Sequence, residues 1–273
     1  MSEEILKALM QLFAIIAKQD EGVETTQVEY VKTFLQQQLT AEKVAEYYAL
    51  FERNAGSQDE EDGKKNKLTS VKDSVRILGL CKKINKTLTQ KQKVVALVRL
   101  FEIVNADRKF TDQRMAIINT VAEVFNISQD EFKSIESFVI KNIADDLDDT
   151  NILIINDKHN RFENAKKIQT KHLDTDIFIL HINSVDLYFL KYTGNEDLFL
   201  NGLPINNTRI YLFANGSTVR LPKGAPIYYS DVVSHFLADT TLSKISYTVR
   251  NVSFRFPNGN LGLRNISFSE GHG

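Results

Sequence analysis

Two stretches decide how the first half of this chain folds: LMQLFAIIAKQDEGVETTQVEYVKTFL (9–35) and LVRLFEIVNADRKFTDQRMAIINTVAE (97–123). Leu12-Phe13 aligns with Leu100-Phe101, Ile15-Ile16 with Ile103-Val104, Asp20 with Asp107 and Val23 with Phe110. Each copy reads as helix, acidic turn, helix, so one helical hairpin is used twice. The plain reading of the two aspartates is that they end helices. Around the repeat the apolar residues recur at three- and four-residue steps, which puts one apolar stripe on each helix. Ile5, Leu6, Leu9, Leu12, Phe13, Ile16 and Ala17 form the first stripe, and Val28, Val31, Phe34 and Leu35 the second. Val44, Tyr47, Tyr48 and Phe51 follow, then Val71, Val75, Leu78 and Ile84, then Val94 to Val104, Met115 to Val124 and Phe132 to Ile143. Thr40, Thr89, Thr111 and Ser128 each stand where a hydroxyl would receive the free amides of a new helix. About seven helices are expected before the acidic tract ADDLDDT (144–150), with GSQDEEDGKKNK (56–67) a solvated loop between them.

After Thr150 the period changes from 3.6 to 2. NILIIND, DIFILHI, DLYFLKY, DLFLNG, RIYLFANG and STVRLP are short β-branched or aromatic runs separated by turn residues. Asn201-Gly202 and Asn215-Gly216 mark tight turns. All four prolines (Pro204, Pro222, Pro226 and Pro257) fall in this half, as expected if helices fill the other. With no helix between these strands, an antiparallel sandwich or barrel is expected. SDVVSHFLAD (230–239) is a short amphipathic stretch, and two further strands joined by Pro257-Asn258-Gly259-Asn260 end the sequence. The fold class is therefore α+β and multidomain.

Composition narrows the function. The 273 residues allow about two compact units. Thirty-four basic against 35 acidic side chains leave a formal charge of −1, so no global field draws in nucleic acid or an anionic membrane. A hydrophobic share of 42% with 25% charged residues excludes wholesale disorder. The single cysteine, Cys81, forms no internal disulfide and points to a reducing, cytoplasmic setting. MSEEILKALMQ lacks the basic start and apolar run of a signal peptide, and no stretch has the roughly 20 apolar residues of a membrane span. The five histidines show no i, i+4 metal spacing, and no GxSxG nucleophile elbow occurs. His181 reads as a packed sheet residue, and the short basic runs at 64–67 and 165–168 read as solvated surface. Nothing in this sequence catalyses by itself.

The repeat, with Asp at the turn and a second helix just after, resembles the TerB family of tellurite-resistance proteins over residues 1–145. That resemblance implies an all-helical fold and a divalent-metal site of acidic residues at the two turns, here Asp20 and Asp107. The family's glycine position is Glu21 or Arg108 in this sequence, and its later glutamate position is Gln27 or Arg114. A hard cation wants several oxygen ligands, and an arginine brings the wrong charge.

DLFLNGLPI…YLFANGSTVRLP (197–222) resembles the closing strands of a forkhead-associated (FHA) sandwich, which would span 151–229. That family reads phosphothreonine; Thr170 and His172 stand roughly where its Ser-x-x-His falls, with Arg161 nearby. YTVRNVSFRFPNGNLGLRNISFSEGHG is similar to the opening strands of an ABC-transporter ATP-binding domain, giving a third region, 230–273, of linker and truncated hairpin. By that resemblance Phe256 would stack on adenine and Gly271 would lead into the phosphate loop. No GxxxxGK[ST] occurs in the chain, so ATP and Mg²⁺ belong to a longer parent and this fragment has no cofactor. The expectation is the N-terminal cytoplasmic regulatory region of an ABC-type ATPase at the inner membrane. Its partners would be proteins: the parent's own domains, or phosphopeptides. The alternative is a free-standing adaptor joining a TerB-like metal or stress sensor to a phosphothreonine reader.

Overall fold

The computed structural model describes residues 3–19, 23–56, 68–159, 162–173, 175–237 and 247–270. Seven α-helices lead among these residues: α1 (Glu3–Ala17), α2 (Thr25–Gln38), α3 (Ala41–Ala55), α4 (Leu68–Thr87), α5 (Gln90–Asp107), α6 (Asp112–Val124) and α7 (Gln129–Ile140). Thr89, Thr111 and Ser128 accept hydrogen bonds from Gln92, Arg114 and Glu131 amides, so three of the expected caps operate. Thr40 holds the cap position of α3 without a side-chain bond. Helices α1 and α5, the first members of the two hairpins, are buried almost all round and touch each other. Phe13 and Phe101, equivalent in the repeat, are both fully buried, worth about 1.5–3 kcal/mol each.

Helix α4 keeps only part of its expected stripe inward. Ile84 is buried as expected, Val75 and Leu78 are exposed, Ile77 and Cys81 are buried, and the Val71 side chain lies outside the described residues. Both sets have three- and four-residue spacing, and periodicity alone does not say which of two overlapping stripes meets a neighbour. Burial pushes the Cys81 thiol up to about 12, so it packs as a small hydrophobe.

A five-stranded sheet has the order β2-β1-β3-β4-β7, built from β1 (Ile152–Asn156), β2 (Lys166–Gln169), β3 (Ile177–Ile182), β4 (Leu187–Tyr192) and β7 (Ile210–Leu212). A four-stranded sheet has the order β6-β5-β8-β9, from β5 (Leu198–Leu200), β6 (Leu203–Ile205), β8 (Thr218–Arg220) and β9 (Ile227–Tyr228). The α+β reading therefore stands: helices first, then a β-rich region. Strand β2 is a surprise. It runs parallel to β1 at the sheet edge, in a stretch that reads as solvated basic surface. Its KKIQ has no apolar alternation, because an edge strand covered on one side needs little of it. Between β5 and β6, Asn201 and Gly202 both take positive φ (54° and 82°), the turn their pairing predicts.

Residues 1–229 form one compact unit in which helices and sheet share a core. Ile154, Phe178, Leu180, Ile182, Phe189 and Ile210 join the helical core from one face of the five-stranded sheet. Ile155, Ile177, Ile179 and Leu190 are buried too, outside that cluster. Covered on both faces, these strands read as near-continuous apolar runs.

Residues 230–273 form the second unit. Its strands β10 (Tyr247–Arg255) and β11 (Leu261–Glu270) pair as an antiparallel hairpin closed by Gly259 at φ 86°. Each strand carries one copy of a short motif, Arg250-Asn-Val-Ser-Phe254 and Arg264-Asn-Ile-Ser-Phe268. Run antiparallel, the copies bond reciprocally: the Asn251 amide donates to Ser267 Oγ and the Asn265 amide to Ser253 Oγ, both at 2.9 Å. Both asparagines take φ 52° at register shifts, a pair of bulges that asparagine tolerates well. Among the described residues no helix is long and apolar enough to cross a membrane.

Candidate functional site

Three places bear on function: the helical hairpin turns, the seam between α5 and β7, and the β10–β11 hairpin.

At the turns, Asp20 lies outside the described residues. Asp107 ends α5 and is fully engaged. Its Oδ2 accepts from Arg114 at 2.6 Å and from Gln27 Nε2 at 2.9 Å, and its Oδ1 accepts the Lys109 amide at 3.0 Å. Gln27 and Arg114 are the third residues of α2 and α6, equivalent positions in the repeat, and both converge on this one carboxylate. Two further pairs join the turns: Lys109 to Glu24 at 2.6 Å and Gln113 to Gln19 at 2.6 Å. The side chains of Arg114 and Asp107 are 1% and 4% exposed. A guanidinium thus sits against Asp107 where the resemblance implies another acid. These donors do not fit a divalent cation, which needs oxygens rather than N–H groups. Among the described residues no group of three or more His, Cys, Asp or Glu side chains is placed to hold a metal.

At the seam, Arg99 and Glu102 lie three residues apart on α5 and form a buried ion pair. Glu102 Oε1 accepts the Ile210 amide at 2.7 Å, and Arg99 donates to the Ile210 carbonyl at 2.8 Å. β7 is an edge strand, and these two side chains bond its free backbone groups as a further strand would. The Tyr30 hydroxyl donates to Glu102 Oε2 at 2.9 Å. Burial, reinforced by the Glu102 charge, holds that hydroxyl well above the ordinary tyrosine range. Sequence reasoning passed over this pair. The signal was present as two charges at i, i+3 inside the apolar run Val94 to Val104.

Next to it, Lys191 on β4 donates to the carbonyls of Phe138, Val139 and Lys141, capping the C-terminus of α7. Burial pushes its ammonium down to about 8, with Glu102 opposing. In the unfolded chain a lysine titrates near 10.4, so between these values the unfolded state binds more protons and stability rises with pH. Urea unfolding at pH 8, 9 and 10 is expected to show a gain of about 1 kcal/mol per unit relative to the Lys191→Met variant. Parallel curves for the two proteins would assign the pH dependence elsewhere. Above pH 10 the buried tyrosines reverse the trend, because their folded values are raised.

The remaining sequence candidates are scattered. Thr170 follows β2 and keeps a buried Oγ1 without a partner, His172 sits in the next turn at φ 62°, and Arg161 lies outside the described residues. His181 stacks on Tyr188 with centroids 4.2 Å apart and pairs with Asp186 at 3.1 Å; burial lowers its basicity, the packed role expected of it. Phe256 closes β10, half exposed, edge-on to Phe254 with centroids 5.1 Å apart. Gly271 lies outside the described residues.

No curated protein and no solved structure matches the chain. Residues 6–137 do match one family model, that of the tellurite resistance protein TerB, and the helical stretch carrying both hairpin turns is therefore a TerB-like domain.

Proposed function

We propose that this chain is the N-terminal cytoplasmic regulatory and interaction region of an ABC-transporter ATP-binding protein, inert in catalysis by itself. The observation that carries the reading is the β10–β11 hairpin. Tyr247, Val252, Phe254, Phe256, Leu263 and Phe268 are each more than a third exposed within it. An isolated two-stranded hairpin is marginal in water, and so much uncovered apolar surface calls for cover by further polypeptide. Its sequence resemblance to the opening strands of an ATP-binding domain supplies that cover, with Phe256 offering a π face to adenine. The β-rich region at 151–229 serves on this reading as an FHA-like docking module.

The test is to express the longest reading frame that encodes this chain. The expected product contains a glycine-rich phosphate loop after residue 273, binds ATP with Mg²⁺, and loses about tenfold in ATP affinity on Phe256→Ala. A frame without a phosphate loop would end the proposal. A phosphopeptide-reading role for the β-rich region has one observation in its favour, the unpartnered Thr170 hydroxyl; binding on a phosphothreonine peptide array that is lost in Thr170→Val would establish it.

A further inference from the structure

Within the first unit a cleft of about 730 Å³ opens between α2, α5, the end of α7, β4 and the 206–209 loop. That volume suits a small-molecule ligand. On its wall stands Arg209, 9% exposed, which makes no hydrogen bond and no ion pair with any described residue. Arg209 shares the cleft lining with Tyr30 and Glu102.

Charge bookkeeping isolates Arg209. Around this cleft Lys191 and Arg209 are buried and Arg99 nearly so, against the buried acid Glu102 and the exposed acid Glu29. Glu102 is already taken by Arg99, Tyr30 and the Ile210 amide. Lys191 spends its donors on three carbonyls. Arg209 is left without an ion-paired acid, and a guanidinium on a cleft wall holds an oxyanion more strongly than one at an open surface. At the exposed rim Arg108 adds a second guanidinium and sits in the left-handed region at φ 56°, a conformation non-glycine residues adopt uncommonly.

We propose that this cleft binds a small oxyanion, a phosphate or carboxylate group of a soluble ligand, with Arg209 as the primary partner and Arg108 at the mouth. A planar guanidinium fork matches either oxyanion bidentately. Asn105 and Asn142 on the lining suit a hydroxylated body attached to the anion. The proposal is independent of the ATPase reading: its residues lie in the other unit, and its test uses no nucleotide.

The probes are inorganic phosphate and citrate, titrated by calorimetry into the full chain at ionic strength held constant with chloride. Binding of one of them with a Kd of a few millimolar or tighter is expected, and which one binds distinguishes phosphate from carboxylate chemistry. Arg209→Gln is expected to weaken that binding at least tenfold, and Arg209→Lys to fall between. Without ligand, Arg209→Gln is expected to be as stable as the parent or more so, because no ion pair or hydrogen bond is lost. A purely structural arginine would do the opposite. The proposal is overturned if neither anion binds, or if a folded Arg209→Gln or Arg209→Lys protein binds as tightly as the parent.

Discussion

Asp107→Ala is expected to destabilise the helical domain by about 3–5 kcal/mol in urea unfolding, because it removes one partner of a buried ion pair. Arg114 is 1% exposed and donates to Asp107 Oδ2 at 2.6 Å, a carboxylate whose side chain is itself 4% exposed. The same change frees Gln27 Nε2, a second buried donor. Removing both charges should restore most of the loss: Asp107→Leu with Arg114→Met replaces an ion pair by apolar volume, which is often neutral. A double variant as unstable as Asp107→Ala would mean that packing, not charge, holds the turns. EDTA is expected to leave the parent's melting temperature unchanged, since the carboxylate's partners are N–H donors. A fall on chelation would bring a metal back to these turns.

Glu102→Ala is expected to cost a similar 3–5 kcal/mol and to loosen the sheet from the helices as well. The Glu102 side chain is 5% exposed and accepts from Arg99, Tyr30 and the Ile210 amide at once. Its loss leaves a buried guanidinium, a buried hydroxyl and a strand amide unsatisfied. Hydrogen exchange should locate the effect, with the Ile210 amide losing protection by more than the global destabilisation explains. Uniform loss across all amides would show that the seam has no role beyond overall stability. Glu102→Gln keeps the shape and one acceptor and is expected to fall between.

Both sites show how far the sequence reaches. The repeat was legible because the same hairpin appears twice: Leu12-Phe13 and Leu100-Phe101 occupy equivalent buried places, and Asp107 stands at its turn. What aligned residues do together was not legible. Gln27 and Arg114 are 87 positions apart and read as two departures from a metal motif. In space they donate to one carboxylate, so the arginine that spoils a cation site is itself the cation. Arg209 opens the run RIYLFANG, and nothing in that run marks it for burial.

By itself the sequence determined the elements: helices through Ile140, strands after Thr150, the Asn201-Gly202 turn and the caps at Thr89, Thr111 and Ser128. Those are local matters of backbone preference and apolar period, settled within a few residues. Only the tertiary structure decided that α4 turns Ile77 and Cys81 inward beside Ile84, rather than Val75 and Leu78. It also decided that a lysine-rich segment pairs parallel to β1, and that Arg209 is buried on the wall of a cleft. Each of these depends on which distant surface arrives alongside, and desolvation and pairing are properties of that meeting, absent from either segment alone.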